Sequence, residues 1–249
     1  MSTLVITTFS EDGYNLYGKK MINTWCEHWP ANYKLRIYAE HDLKVNDARV
    51  EVVDLHKSSE KLVAFKTATQ LMSKQATDKK QRNKVLKTVK WCHKVYAMEH
   101  ALNEDYDYLI FLDADTYTKD TVPAGQLESL SLDCLFSVHF ERIHKMRHYE
   151  TGLIIFNLKH QQIDDLRENI TSAYDTLDIF NHPKTWDGFW IAELATQRKY
   201  HVVDLAGGIR SGIFTNPLVR DILHHDAGKK KYRNTDYNKY TGKLKDQLN

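Results

Sequence analysis

The chain has 249 residues, 42% of them hydrophobic and 27% charged, with a formal net charge of +2. That composition excludes a disordered, collagen-like or disulfide-scaffold protein, and no apolar run approaches the roughly 18 residues of a membrane-spanning helix. The charge is unevenly spread, since residues 57–94 hold eleven Lys/Arg against Glu60 and Asp78, and residues 227–249 hold seven against Asp236 and Asp246, which points to an anionic ligand, an anionic partner, or both.

Residues 4–9 read as a buried parallel strand and Ser10-Glu11-Asp12-Gly13 as the turn after it. No basic region precedes the first apolar residues, which argues against a secretory signal. Over residues 15–29, Leu16, Met21, Ile22, Trp25, Cys26 and Trp29 recur near helical spacing, and Pro30 stops the helix. Residues 34–39 form a second strand with Leu35, Ile37 and Ala39 inward, and residues 50–55 a third. Strand, helix and strand in this order call for right-handed crossovers and a doubly wound sheet.

Residues 58–75 predict a helix, residues 77–83 a polar and mobile connection, and residues 84–103 a longer helix. At about 100° per residue, Val85, Val89, Cys92 and Tyr96 share one face, while Lys87, Lys90 and Lys94 fall on an opposite, solvated one. The apolar run from Tyr108 to Leu112 then ends in Asp113-Ala114-Asp115. In an extended backbone, side chains at i and i+2 point to one side, so Asp113 and Asp115 can converge on one cation. Hard carboxylate oxygens suit Mg²⁺ or Mn²⁺, and strand ends are where open α/β sheets bind ligands. Two acids capping a solvated strand end are the ordinary alternative.

Further along, residues 134–138 read as a strand and residues 139–149 as a His- and Arg-rich loop. Glu150-Thr151-Gly152 then leads into a strand over residues 153–156 that ends at Asn157. Residues 161–176 predict an amphipathic helix, and Thr185-Trp186-Asp187 opens another that runs to about residue 198. Residues 201–205 are a last strand and residues 206–209 a turn. Near the C-terminus stands Leu223-His224-His225-Asp226-Ala227-Gly228-Lys229-Lys230-Lys231. Imidazole tolerates Mn²⁺, so His225, or His224 in a shifted register, can complete a site begun by two aspartates.

Taken together, these pieces resemble the GT-A fold of nucleotide-sugar glycosyltransferases, and most of all the retaining, glycogenin-like galactosyl- and glucosyltransferases. The first strand, Phe111-Leu112-Asp113-Ala114-Asp115, the segment from Glu150 to Asn157, and His225-x-x-Gly228-x-x-Lys231 carry the resemblance in the family's order. It implies an α/β, mixed but mostly parallel sheet flanked by helices, in one domain over residues 1–249 with a basic tail at about 227–249. It also implies a Mn²⁺ or Mg²⁺ ion held by Asp113, Asp115 and His225. The implied donor, a nucleoside-diphosphate sugar and most naturally a UDP-sugar, would contact Thr8, Phe9, Ser10, Tyr14, Lys94, Asp113, Ala114, Gly228 and Lys231. Glu150 and Asp187 would act on the transferred sugar, although relatives often carry Asn-x-Gly where this chain has Glu150-Thr151-Gly152. The implied activity is hexosyl or pentosyl transfer to an acceptor hydroxyl, with retention. Ordinary alternatives stand beside these roles: Phe9 and Tyr14 as core aromatics, and Asp187 as an acid favoured at a helix start.

Two other classes compete. A nucleotidyltransferase would show a Gly-rich signature after the first strand, where this chain has the single Gly13. A non-catalytic nucleic-acid-binding protein would use the basic segments but leave the Asp and His pairing unexplained. The sequence leaves the acceptor open among a glycan, a protein, a lipid-linked sugar and a nucleic acid, the last reached through basic segments 57–94 and 229–245, for instance at a hydroxymethylated base flipped from the stack. Cys26, Cys92 and Cys134 are far apart and odd in number, as expected for reduced thiols in a cytoplasmic protein.

Overall fold

The computed structural model describes residues 1–140, 148–206 and 216–226. Its strands are β1 (Thr3–Phe9), β2 (Lys34–Ala39), β3 (Val50–Asp54), β4 (Tyr108–Leu112), β5 (Thr116–Thr118), β6 (Phe136–Phe140), β7 (Tyr149–Asn157), β8 (Val202–Asp204) and β9 (Leu223–His225). Helix α1 (Glu11–Gly13) passes through a π-helical turn, Tyr14–Gly18, into α2 (Lys19–His28). Then follow α3 (Leu55–Ser58), α4 (Glu60–Gln75), α5 (Lys79–Leu102), α6 (Ile163–Asn169), α7 (Ser172–Asp175), α8 (Asp187–Arg198) and α9 (Pro217–Arg220).

Seven strands form one sheet in the order β3-β2-β1-β4-β7-β6-β8. Every neighbouring pair is parallel except those made by β7, which runs against both β4 and β6. The sheet is therefore mixed and mostly parallel, as the sequence predicts. Alternation divides its two faces, because successive strand side chains point to opposite sides. Leu4, Ile6, Leu109 and Phe111 join α4, α5 and α8 in one apolar layer. Val5, Phe9, Ile110 and Leu112 join α2 and β9 in the other. A separate two-stranded ribbon, β5 with β9, is tied to α2 where Trp29 Nε1 donates to Thr118 Oγ1 at 2.9 Å and Thr118 N donates to Thr24 Oγ1 at 3.1 Å.

Several local expectations need correction. Ser10 is a helix cap, its hydroxyl accepting from Gly13 N, so residues 11–13 are helical. Residues 79–83 belong to α5, because Asp78 caps Gln81 N at 2.8 Å and Lys, Gln and Arg are good helix formers. In β2, Arg36 and Tyr38 are buried on the face opposite Leu35 and Ile37, with Arg36 bonded to Glu51 and Glu104 at 2.7 Å each. The helix expected over 161–176 is broken into α6 and α7, with Ile170 and Thr171 between them. Lys94 is not on a solvated face: from Cys92 to Met98 every residue of α5 is buried. The C-terminal half of that helix packs against the sheet, α4 and α8, so burial there is not confined to one stripe. Among the described residues no helix is long and apolar enough to cross a membrane. The turn at 207–209, Gly228, Lys231 and the basic tail lie outside the described residues.

Candidate active site

β4 delivers Asp113 to the middle of the sheet's C-terminal edge, where Asp113 N donates to Gly152 O at 2.9 Å. The chain then turns, with Thr116 N donating to Asp113 O at 2.8 Å, before β5 begins. The two aspartates thus meet across a tight turn and not along an extended strand. β9 supplies the third group. Its antiparallel register sets His225 opposite Thr116, and Asp226 N donates to Asp115 O at 3.1 Å. His225 Nε2 lies 2.9 Å from Asp115 Oδ1 and 3.7 Å from Asp113 Oδ2. One ligand atom from each of the three residues falls within 4.8 Å of the others. His224 points the other way, as its neighbour in a strand must. Its ring packs on Tyr117 at 4.9 Å, and its Nε2 lies 3.3 Å from Asp226.

Gly152 of β7 is the floor of this cluster. A Cβ built there would lie 3.6 Å from both Asp113 Oδ2 and His225 Nε2, and 3.8 Å from Glu150 Oε1. Any side chain would project into the space the ligand atoms share, so glycine keeps it open. Glu150 borders the same space. An oxygen-rich set of two carboxylates and one imidazole is chemistry that fits Mn²⁺ or Mg²⁺.

Behind the cluster, Lys94 reaches in from α5. Its ammonium lies 2.6 Å from Asp113 Oδ1 and 3.1 Å from Asp187 Oδ2. It also donates to Thr151 O at 3.2 Å and Thr151 Oγ1 at 3.0 Å, while the Thr151 hydroxyl donates to Asp187. Asp187 opens α8, and that helix can approach β7 only because its second residue is Gly188. A Cβ on Gly188 would sit 2.1 Å from Tyr149 O.

These contacts set the charges. Burial favours the neutral amine of Lys94, but the carboxylates of Asp113 and Asp187 outweigh it and raise its pKa. Burial would likewise raise Asp113, yet Lys94 and His225 hold its carboxyl well below the usual carboxylate range. For His225, burial disfavours the imidazolium, but hydrogen bonds and charge from Asp113 and Asp115 win and hold its pKa up at about 9. Without metal, the ring carries the proton that a cation must displace.

At the end of β1 the predicted donor residues are differently engaged. The Thr8 hydroxyl donates to Tyr38 O at 2.9 Å, the Ser10 oxygen is used in the helix cap, and Phe9 is buried. Tyr14 is half-buried, its ring 5.8 Å from Phe9 and 5.7 Å from His41. Ala114 is buried beside the two aspartates. Of Glu150-Thr151-Gly152, the sequence points to Glu150 alone, whereas Thr151 and Gly152 also belong to the site. Period-two alternation through 150–152 was the available signal, since it separates Thr151 from Glu150 and Gly152.

No family model matches the chain, and no curated protein matches it. Solved structures do. Mouse xyloside xylosyltransferase 1 in its apo form superposes with a TM-score of 0.52 at 10% identity, covering 82% of this chain and 85% of that one. The WbbM bifunctional glycosyltransferase gives 0.51 at 14% identity, covering 97% of this chain and 51% of its own. GlyE of Streptococcus pneumoniae TIGR4 gives 0.54 at 12% identity, covering 94% and 57%. The chain thus spans about half the length of the last two. At such identities the likeness is one of fold.

Proposed function

We propose that this chain, which carries the GT-A glycosyltransferase fold, transfers a sugar from a nucleoside diphosphate to an acceptor hydroxyl in a metal-dependent reaction. The reading rests on the convergence of Asp113, Asp115 and His225 beside a glycine that leaves the space between them open. A Mn²⁺ or Mg²⁺ ion held there supplies Lewis-acid neutralisation of a diphosphate leaving group.

The chain's own residues prepare that chemistry. Lys94 keeps Asp113 ionised and fixes the direction of its oxygens, which makes Lys94 a positioning residue. Asp187 and Thr151 hold Lys94 in turn, so Asp187 acts through the ammonium and not on the sugar. In this reading Glu150, whose Oε1 lies 3.8 Å from the Cβ position of Gly152, stabilises positive charge developing at the anomeric carbon. In this reading the β1 end, with Thr8, Ser10 and the stacked pair Phe9 and Tyr14, forms the wall for the nucleotide. Gly228 and Lys231 complete the diphosphate contacts in this reading. UDP as the nucleotide, a hexosyl or pentosyl group as cargo, and retention at the anomeric carbon follow from the motif resemblance. Three unbridged thiols, Cys26, Cys92 and Cys134, support a cytoplasmic setting.

The test is a panel of nucleoside-diphosphate sugars incubated with the protein in Mn²⁺, Mg²⁺ or EDTA, reading release of nucleoside diphosphate. Metal-dependent release from at least one donor is expected. Release of pyrophosphate from a nucleoside triphosphate and sugar phosphate, with no diphosphate release, would replace this reading with nucleotidyl transfer.

A further inference from the structure

Away from the metal cluster, the N-terminal half of α5 faces residues 180–186 across an open groove of about 1380 Å³. That exceeds the roughly 300–1,000 Å³ of a small-molecule pocket, so an extended ligand suits it better. The two walls meet where Thr88 Oγ1 donates to Thr185 Oγ1 at 2.8 Å and Lys84 Nζ donates to Phe180 O at 2.8 Å. Lys79, Lys80, Lys87 and Lys90 line the α5 wall with Trp91, and Trp186 stands on the other. None of those four lysines has a carboxylate partner among the described residues, whereas Lys57, Lys61 and Lys159 elsewhere do. Among the described residues Asp78 is the single acid of the lining, and its carboxylate caps the helix.

Unneutralised ammonium groups packed on one helix repel one another, and an anionic ligand relieves that repulsion. From Lys80 to Lys90 the helix rises about 15 Å, so the charges form a row and not a point. The rings are the second feature. Trp91 is 40% exposed, unusual for so large an apolar side chain, and Trp186 is half-buried with Lys184 Nζ 5.2 Å from its ring centroid. A row of cations combined with exposed aromatic faces is the combination that holds a single nucleic-acid strand, phosphates on the cations and bases on the rings. An acidic peptide would leave the rings idle, and a neutral glycan would leave the lysines unpaired. The groove ends beside the support of the candidate site: Trp186 immediately precedes Asp187, and His148, next to β7, packs edge-on against Trp186 at 5.7 Å.

We propose that this groove binds single-stranded nucleic acid and presents it as the acceptor strand to the site at Asp113 and Asp115. The acceptor role rests on the glycosyl-transfer reading, whereas the binding itself does not.

The experiment measures fluorescence anisotropy of a labelled twelve-nucleotide single-stranded DNA against the full chain, from 25 to 200 mM salt. Those conditions are on the order of the range where counterion release is resolved. With roughly 0.7 of slope per neutralised phosphate on a single strand, four lysine contacts give a log–log salt slope of about −3. The variant Lys79→Ala/Lys80→Ala/Lys87→Ala/Lys90→Ala should bring that slope near zero. Trp91→Ala should weaken binding about tenfold or more while leaving the slope, since stacking is not ionic. Donor hydrolysis in Mn²⁺ should be unchanged in both variants, which separates the groove from the donor site. Absence of binding at the lowest salt, or binding unaffected by the quadruple variant, would overturn the proposal. Tighter binding of heparin than of the oligonucleotide, indifferent to Trp91→Ala, would overturn it in favour of an anionic glycan. Oligonucleotide binding that follows these expectations in a protein without donor hydrolysis would support the groove's ligand and refute the transfer reading.

Discussion

Replacing Lys94 by Met is the sharpest perturbation of the site's architecture. The side chain keeps its length and apolar body but loses the ammonium that lies 2.6 Å from Asp113 and 3.1 Å from Asp187. Asp187 is 2% exposed, so its carboxylate is left buried with only the Thr151 hydroxyl for a partner. Removing one member of a buried ion pair costs about 3–5 kcal/mol, because the remaining charge is neither paired nor hydrated. At about 2–4 °C per kcal/mol for a chain of this length, the melting temperature should fall by roughly 6–20 °C. The double variant Lys94→Met/Asp187→Asn removes both charges and should recover part of the loss, giving a coupling energy of about 2 kcal/mol. Urea unfolding in EDTA at neutral pH measures all four corners of the cycle free of metal effects. Additive losses, or a Lys94→Met variant as stable as the wild type, would refute the view that Lys94 is the buried counter-ion of Asp187.

Three further outcomes follow from single contacts. Gly152→Ala should fold normally, since its Cβ makes only ordinary 3.6 Å contacts, yet it should weaken Mn²⁺ binding by about tenfold or more; unchanged affinity by manganese paramagnetic resonance would count against the floor argument. Gly188→Ala should cost about 1–3 kcal/mol or more, because the new Cβ meets Tyr149 O at 2.1 Å and α8 must move off β7; a melt within experimental error of wild type would contradict it. His225 has its pKa raised from 6.5 to about 9, so in metal-free protein its contribution is full below 6.5 and disappears as pH rises through 9. That contribution is on the order of 3 kcal/mol, and His225→Gln should flatten the stability curve between those pH values, whereas parallel curves would refute the pairing.

How far the sequence reveals this molecule depends on how local each signal is. β4 is a continuous apolar run and β1 is apolar apart from its threonines, and the sheet they imply is the sheet observed. Asp113 and Asp115 stand out in the sequence only in company, because an isolated carboxylate pair after a strand is common and the later His225-x-x-Gly228-x-x-Lys231 motif singles this one out. Helical periodicity sets Lys94 on a solvated face because it recognises one buried stripe and has no means of showing a helix covered on every side. The charges of segment 79–83 look like those of a loop, although Asp78 supplies the cap that starts a helix there. β5 and β9 have three residues each, too few for any period to show. The contacts of Thr151, Gly152 and Gly188 join segments 36 or more residues apart; alternation separates Thr151 from Glu150 and Gly152 but does not name their distant partners. The groove beside α5 is a mixed case: its lysines stood out as charge, but the wall carrying Trp186 comes from a distant segment.

The central claim is that a metal held by Asp113, Asp115 and His225 drives sugar transfer from a nucleoside diphosphate. Asp115→Asn tests it most directly, since Asp115 is 6% exposed and faces His225 without touching the Lys94 pair. Turnover of the best donor should be measured for wild type and variant at saturating donor and limiting Mn²⁺, with melting curves alongside. Loss of about 100-fold or more in turnover, with the fold intact, is the expected result for removing a charged ligand worth several kcal/mol. Turnover equal to wild type, or equal rates in Mn²⁺ and EDTA, would contradict it.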